Sequence, residues 1–211
     1  MSKSIFIIGD SYSTYKGYIP EGYSCYYGAG RENVANVSEV DKTWWRLLAK
    51  KMDYHIVMND SYSGSTVSTS VRPTQPITAA FVKRLDKYIA EGFFDSNPID
   101  TFFVFGGTND NWLGVPLGET VYEEWSEEQL KCVLPAFCYL LDRLKKQKNI
   151  GRVVVILNTN FKEGLVTGVT EACERLGADL VQLVDIDKEF GHPSETGMAQ
   201  IAEQLGAFLS K

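Results

Sequence analysis

Five runs in this chain, SIFIIGD, HIVMND, DTFFVFGG, GRVVVILN and ADLVQLVD, are almost continuously apolar. Strands of that kind are buried on both faces, which only a covered parallel sheet provides. Amphipathic stretches alternate with them: DKTWWRLLAKKM, ITAAFVKRLDKYIAEG, SEEQLKCVLPAFCYLLDRLKKQK, LVTGVTEACERLG and TGMAQIAEQLGAFLSK. Their apolar residues recur at three and four positions, the period of a helix. Strand-helix alternation implies right-handed βαβ units in an α/β fold. Gly92 is expected to close the second helix. The third helix is expected to start at a Ser126 N-cap and to kink at Pro135. One domain over residues 1–211 accounts for all of it. The longest irregular stretch, Tyr12 to Val40, exceeds a routine connection, and loops of that length tend to be functional.

Bulk properties remove several function classes. The chain has 211 residues, a net charge of -6 and no basic run beyond three residues, so a nucleic-acid partner is not expected. No stretch has the roughly 18 apolar residues that span a bilayer. The N-terminus reads as a strand and not as a secretory signal, so the chain as written is expected to be cytoplasmic; one trimmed of a leader would look the same. Cys25, Cys132, Cys138 and Cys173 form no CxxC pair and only two histidines accompany them, so no metal site is expected. Cys132 and Cys138 fit buried helix positions.

Ligands of open parallel sheets bind beyond the carboxyl ends of the strands. Gly9-Asp10-Ser11 follows the first strand. Asn59-Asp60-Ser61-Tyr62-Ser63-Gly64 follows the second, Gly106-Gly107-Thr108-Asn109-Asp110 the third, and Asp185 to Pro193 the fifth. Each group alone is turn chemistry. Together they place small hydrogen-bonding residues around one rim.

In this order the segments GDSYS, NDSYSGS, GGTND and GHP resemble the blocks of the SGNH (GDSL-like) hydrolases, a match running from the first strand to the last helix. The resemblance implies a three-layer α/β/α fold, a five-stranded parallel sheet in the flavodoxin-like order 2-1-3-4-5, and ester hydrolysis with no metal or organic cofactor. It implies Ser11 as nucleophile and His192 as its base. It also implies an oxyanion hole built from the Ser11 N–H, the Gly64 N–H and the Asn109 side-chain amide. In that strand order the first three strands are neighbours, so Ser11, Gly64 and Asn109 can converge. His55 would lie at the opposite end of the sheet.

The family usually carries an Asp three residues before the histidine. Here that position is Glu189, which is expected to orient the imidazole. Asp187 is the alternative acid, and a backbone carbonyl orienting the ring of a Ser-His dyad is the third option. An ordinary histidine base predicts loss of activity below a pH of about 6.5. Tyr12 and Trp112 are candidate substrate contacts. With Tyr15, Tyr18, Tyr23, Tyr26, Tyr27 and Trp125, they either wall the rim or pin the long loop. A small-molecule ester is expected, with a short acyl group and carbohydrate acetyl esters as the candidate class; oligomeric state is left open. The rival is a binding module. Ser11, Ser13 and Thr14 are similar to a flavodoxin-like phosphate loop, a reading that leaves Asn109 and His192 unexplained, and a non-catalytic carbohydrate binder is a second alternative.

Overall fold

The computed structural model describes residues 2–30 and 34–211. Five parallel strands form one sheet: β1 (Lys3–Gly9), β2 (Tyr54–Ser61), β3 (Ile99–Phe105), β4 (Ile150–Leu157) and β5 (Asp179–Gln182), in the order β2-β1-β3-β4-β5. The expected order is therefore the observed one. Side chains of successive residues leave a strand on opposite faces. Ile5, Ile7, Phe103, Phe105, Val154 and Ile156 accordingly face α1 (Trp44–Met52) and α7 (Glu195–Leu209). Phe6, Ile8, Phe102, Val104, Val155 and Leu157 face the other layer. That layer holds α2 (Phe81–Ala90), α3 (Phe93–Ser96), α5 (Val133–Lys145) and α6 (Glu163–Leu176). The result is three layers, α/β/α.

Two expectations about the helices need correction. The third long helix starts at Val133, not Ser126. Ser126 and Gln129 do form a reciprocal cap, with Gln129 Oε1 3.1 Å from Ser126 Oγ and the Gln129 N–H donating to Ser126 Oγ at 3.2 Å. That cap closes only a 3-10 turn, Gln129–Lys131, after which Cys132 is extended. Pro135 therefore falls in the first turn of α5, where its missing N–H removes no helical bond, and it produces no break. Cys132 ends half-buried at this boundary, whereas Cys138 is buried.

A short helix, α4 (Thr108–Leu113), follows β3. Its sequence, TNDNWL, has no apolar stripe and reads as a turn. Beyond β5, two paired residues on each side, β6 (Lys188–Glu189) and β7 (His192–Pro193), make a small antiparallel ladder. Among the described residues no helix is long and apolar enough to cross a membrane.

Candidate active site

The register aligns Gly9 with Ser61 on one side and Phe105 on the other, so β1, β2 and β3 end level. A Cβ on Gly9 would lie 2.6 Å from Ser61 Oγ and 2.8 Å from Ser13 Cβ, so only glycine lets the chain turn there. The turn is a 3-10 segment, Ser11–Ser13, capped by Asp10, whose carboxylate accepts the Tyr12 N–H at 3.0 Å. Burial drives the Asp10 carboxyl up to about 7, and the nearby Asp110 pushes the same way.

Buried polar groups stitch the three strand ends together. Arg84 pairs with Asp60 at 2.6 Å, with both side chains fully buried, and also donates to the Gly9 carbonyl at 3.0 Å and to Ser65 Oγ at 3.2 Å. From α4, Asp110 accepts the N–H groups of Val67 and Ser68 at 2.8 and 3.0 Å. Asn109 donates one amide hydrogen to the Ser65 carbonyl at 3.0 Å, and its Oδ1 accepts from Arg72 at 3.2 Å. Among the described residues the second amide hydrogen has no acceptor. Gly64 has φ +83°, a left-handed conformation that suits glycine. Among the described residues, the backbone N–H groups of Ser11 and Gly64 have no hydrogen-bond partner.

His192 comes from the small ladder. Its Nε2 lies 2.9 Å from Ser11 Oγ and its Nδ1 lies 3.1 Å from the Phe190 carbonyl oxygen. A carbonyl can only accept, so Nδ1 carries the proton and the Nε2 lone pair faces the Ser11 hydroxyl. Phe190 and Gly191 both have positive φ, 51° and 77°, which curls that carbonyl back toward the ring. Burial lowers the basicity of His192, the Phe190 bond opposes this, and the charge of Lys188 adds to the lowering. His192 therefore stays neutral to lower pH than an ordinary imidazole.

Neither expected acid touches the imidazole. Glu189 accepts the backbone N–H of Asn36 at 2.9 Å. Asp187 accepts the hydroxyl of Ser194, the N-cap of α7. The two-residue ladder explains this: Glu189 sits directly across from His192, with its side chain reaching to the 34–40 segment. The backbone carbonyl, the third option, is what the ring meets.

Tyr12 also departs from expectation. It is fully buried and cannot line a substrate site. Its hydroxyl donates to the Gly191 carbonyl at 2.6 Å and accepts from Asn158 at 3.0 Å. Tyr27 donates to the Pro193 carbonyl at 2.8 Å, and Tyr26 stacks on the His192 ring at 3.6 Å. These three tyrosines of the long loop hold the histidine. Trp112 is 48% exposed, with its ring 5.7 Å from that of His192, so it does border the site. Trp125 packs on Tyr139, and His55 is exposed on β2, both outside the cluster.

Ser13 and Thr14 are buried and engaged: Ser13 accepts from Trp44 Nε1 at 3.1 Å, and Thr14 donates to the Ser11 carbonyl at 2.9 Å. They offer no open hydroxyl cradle for a phosphate. Among the described residues no three His, Cys, Asp or Glu side chains gather as metal ligands.

The family model for GDSL-like lipase/acylhydrolase proteins matches residues 3–209. The chain belongs to this family. It is 37% identical to a protein from Bacteroides ovatus described as a GDSL-like lipase, over 100% of this chain and 99% of that one, with a TM-score of 0.90. A second such protein, from Bacteroides uniformis, is 34% identical over 99% and 96% of the two chains, with a TM-score of 0.87. A carbohydrate acetylesterase from Sinorhizobium meliloti shares the fold at 15% identity, 99% coverage of both chains and a TM-score of 0.65. No curated protein matched the sequence.

In this GDSL-like chain, sequence reasoning missed Arg84, Lys188 and Arg72. Arg84 left a signal, a charge on the apolar Phe81-Leu85-Tyr88 face of α2. Lys188, bonded to Asn158 and Thr159 at 2.9 and 2.6 Å, and Arg72, in an irregular segment, left none.

Proposed function

We propose that the chain hydrolyses carboxylic esters through an acyl-enzyme on Ser11. The observation that carries this is the Ser11–His192 contact of 2.9 Å with Nδ1 committed to the Phe190 carbonyl. Ser11 Oγ attacks the ester carbonyl carbon as its proton passes to Nε2. The carbonyl oxygen becomes an anion facing the Ser11 N–H, the Gly64 N–H and the spare Asn109 amide hydrogen. Such preorganised donors each contribute about 3 kcal/mol in the transition state. Collapse expels the alcohol, which takes the proton from Nε2. Water then repeats the sequence, His192 removing its proton, and frees the acid and Ser11. The machinery is a dyad: Phe190 O fixes the tautomer but brings no charge to the imidazolium that forms.

The short, polar rim favours a small acyl group. The exposed face of Trp112 beside His192 suits a sugar ring, which supports carbohydrate acetyl esters as the substrate class.

Hydrolysis of an aryl acetate by wild type and Ser11→Ala tests the reading. The variant is expected to lose at least about a thousandfold in kcat. Equal rates would overturn Ser11 as nucleophile, and a preference for long acyl chains over acetyl would overturn the short-acyl assignment.

A further inference from the structure

Among the described residues Arg72 is a cation with no anion. Among the described residues Arg46, Arg84, Arg143 and Arg152 each pair with an aspartate, and Arg175 lies over the Tyr122 ring. Arg72 has neither. Its one side-chain bond, to Asn109 Oδ1 at 3.2 Å, uses a single donor of the five that a guanidinium carries. The side chain is half-buried, and its place is specific. A Cβ built on Gly64 would lie 3.6 Å from Arg72 Nε, so the guanidinium lies beside Gly64 as well as bonding Asn109. A turn holds it there: the Arg72 carbonyl accepts the Gln75 N–H at 2.9 Å, with Pro73 at the position that favours such a turn. Gln75 in turn donates to the Ser63 carbonyl at 2.8 Å, which ties the turn to the loop bearing Gly64.

Orienting the Asn109 amide needs one neutral donor. It does not need a full charge with most of its fork unused at the edge of a site. We infer that Arg72 is a specificity-determining residue that receives a carboxylate carried by the ester substrate, a proposal that rests on the reading of the site as an esterase. Guanidinium matches a carboxylate with two parallel N–H donors. A single cation balances a single negative charge. A phosphate monoester would bring nearly two charges at neutral pH into a chain of net charge -6, so the carboxylate is the better fit. With the ester carbonyl oxygen at the Asn109 and Gly64 donors, the carboxylate lies only a few bonds away, on the acyl or the alcohol side.

Binding to Ser11→Ala, which cannot form the acyl-enzyme, separates this from catalysis. Two carboxylates would be titrated calorimetrically, each against its neutral amide. 4-Acetoxybenzoate against 4-acetoxybenzamide places the charge on the alcohol side. Monophenyl succinate against phenyl succinamate places it on the acyl side. At least one carboxylate is expected to bind about tenfold tighter than its amide, and the pair that shows it names the side. Adding Arg72→Gln should bring that pair within about twofold, and Arg72→Lys, which keeps the charge but not the fork, should fall between. Taking the ratio within one variant cancels any effect through Asn109. Ratios below about twofold for both pairs, or a preference that survives Arg72→Gln, would overturn the inference. Ser11-dependent hydrolysis of a neutral aryl acetate without carboxylate preference would sink this inference alone. A carboxylate preference without Ser11-dependent hydrolysis would sink the esterase reading and the inference that rests on it, and would leave Arg72 as a carboxylate-binding group alone.

Discussion

Ser11 and His192 meet at 2.9 Å, yet opposite means bring them there. The serine side is built from inside. Ser11, Gly64 and Asn109 follow the level ends of three adjacent strands, with β1 between β2 and β3, and buried charge (Arg84 with Asp60, and Asp110 on two backbone amides) locks those ends together. The histidine side is built from outside. β5 is a four-residue edge strand, and the 185–193 segment beyond it has positive φ at Asp185, Phe190 and Gly191. No pairing with the main sheet fixes that loop as it fixes Ser11; side chains do, with Ile186 in the core, Asp187 bonded to Ser194 and Lys188 bonded to Asn158 and Thr159 beyond β4. Tyr12 and Tyr27 hold its carbonyls and Tyr26 covers the ring. An imidazole can thus be held by hydroxyls and stacking where a sheet does not reach.

Breaking the two sides should have different consequences. Arg84→Met leaves the Asp60 carboxylate buried without its partner, and loss of one member of such a pair costs about 3–5 kcal/mol. Urea unfolding should show that loss in the midpoint; a change under about 1 kcal/mol would mean that the ion pair does not hold the strand ends. On the other side, Tyr27→Phe removes one donor and should cost only about 1 kcal/mol of stability. It should nevertheless lower kcat by about tenfold with KM little changed, because the base is displaced from Ser11. An unchanged kcat would show that the loop needs no such anchor.

The smallest effect concerns pH. His192 must be neutral to accept the Ser11 proton, and burial together with Lys188 lowers its basicity, so activity should persist below the ordinary imidazole value of 6.5. Lys188→Met removes a cation that opposes imidazole protonation. The acid limb of kcat/KM should then move to higher pH. A limb that stays in place, or moves lower, would exclude Lys188 as a source of the shift.

The two sides also differed in how far sequence exposed them. The strands were legible because apolar runs such as FFVF and VVVIL admit only a buried sheet, and the block order indicated which strands adjoin. Ser11, Gly64, Asn109 and His192 were legible through the resemblance: each group alone is turn chemistry, and only the four blocks in their order pointed to these residues. The group behind His192 was not, because any residue at position 190 supplies the same carbonyl; what matters is its φ of 51°. Glu189 stands at the family's acid position, yet its side chain caps Asn36, a contact between segments far apart in sequence. α4 was missed because TNDNWL satisfies turn rules as well as helical ones, and the Ser126 cap misled because it closes a single turn.

In the proposed dyad a backbone carbonyl, with no carboxylate, orients the imidazole of His192. The most direct test is the rate of aryl acetate hydrolysis by Glu189→Gln and Asp187→Asn beside His192→Ala. Both amides keep an oxygen for the present partners, Asn36 and Ser194. Each amide variant should stay within about threefold of wild type in kcat, while His192→Ala should fall by about a thousandfold or more. A loss in either amide variant as deep as that of His192→Ala would contradict it and restore an acid as the third member.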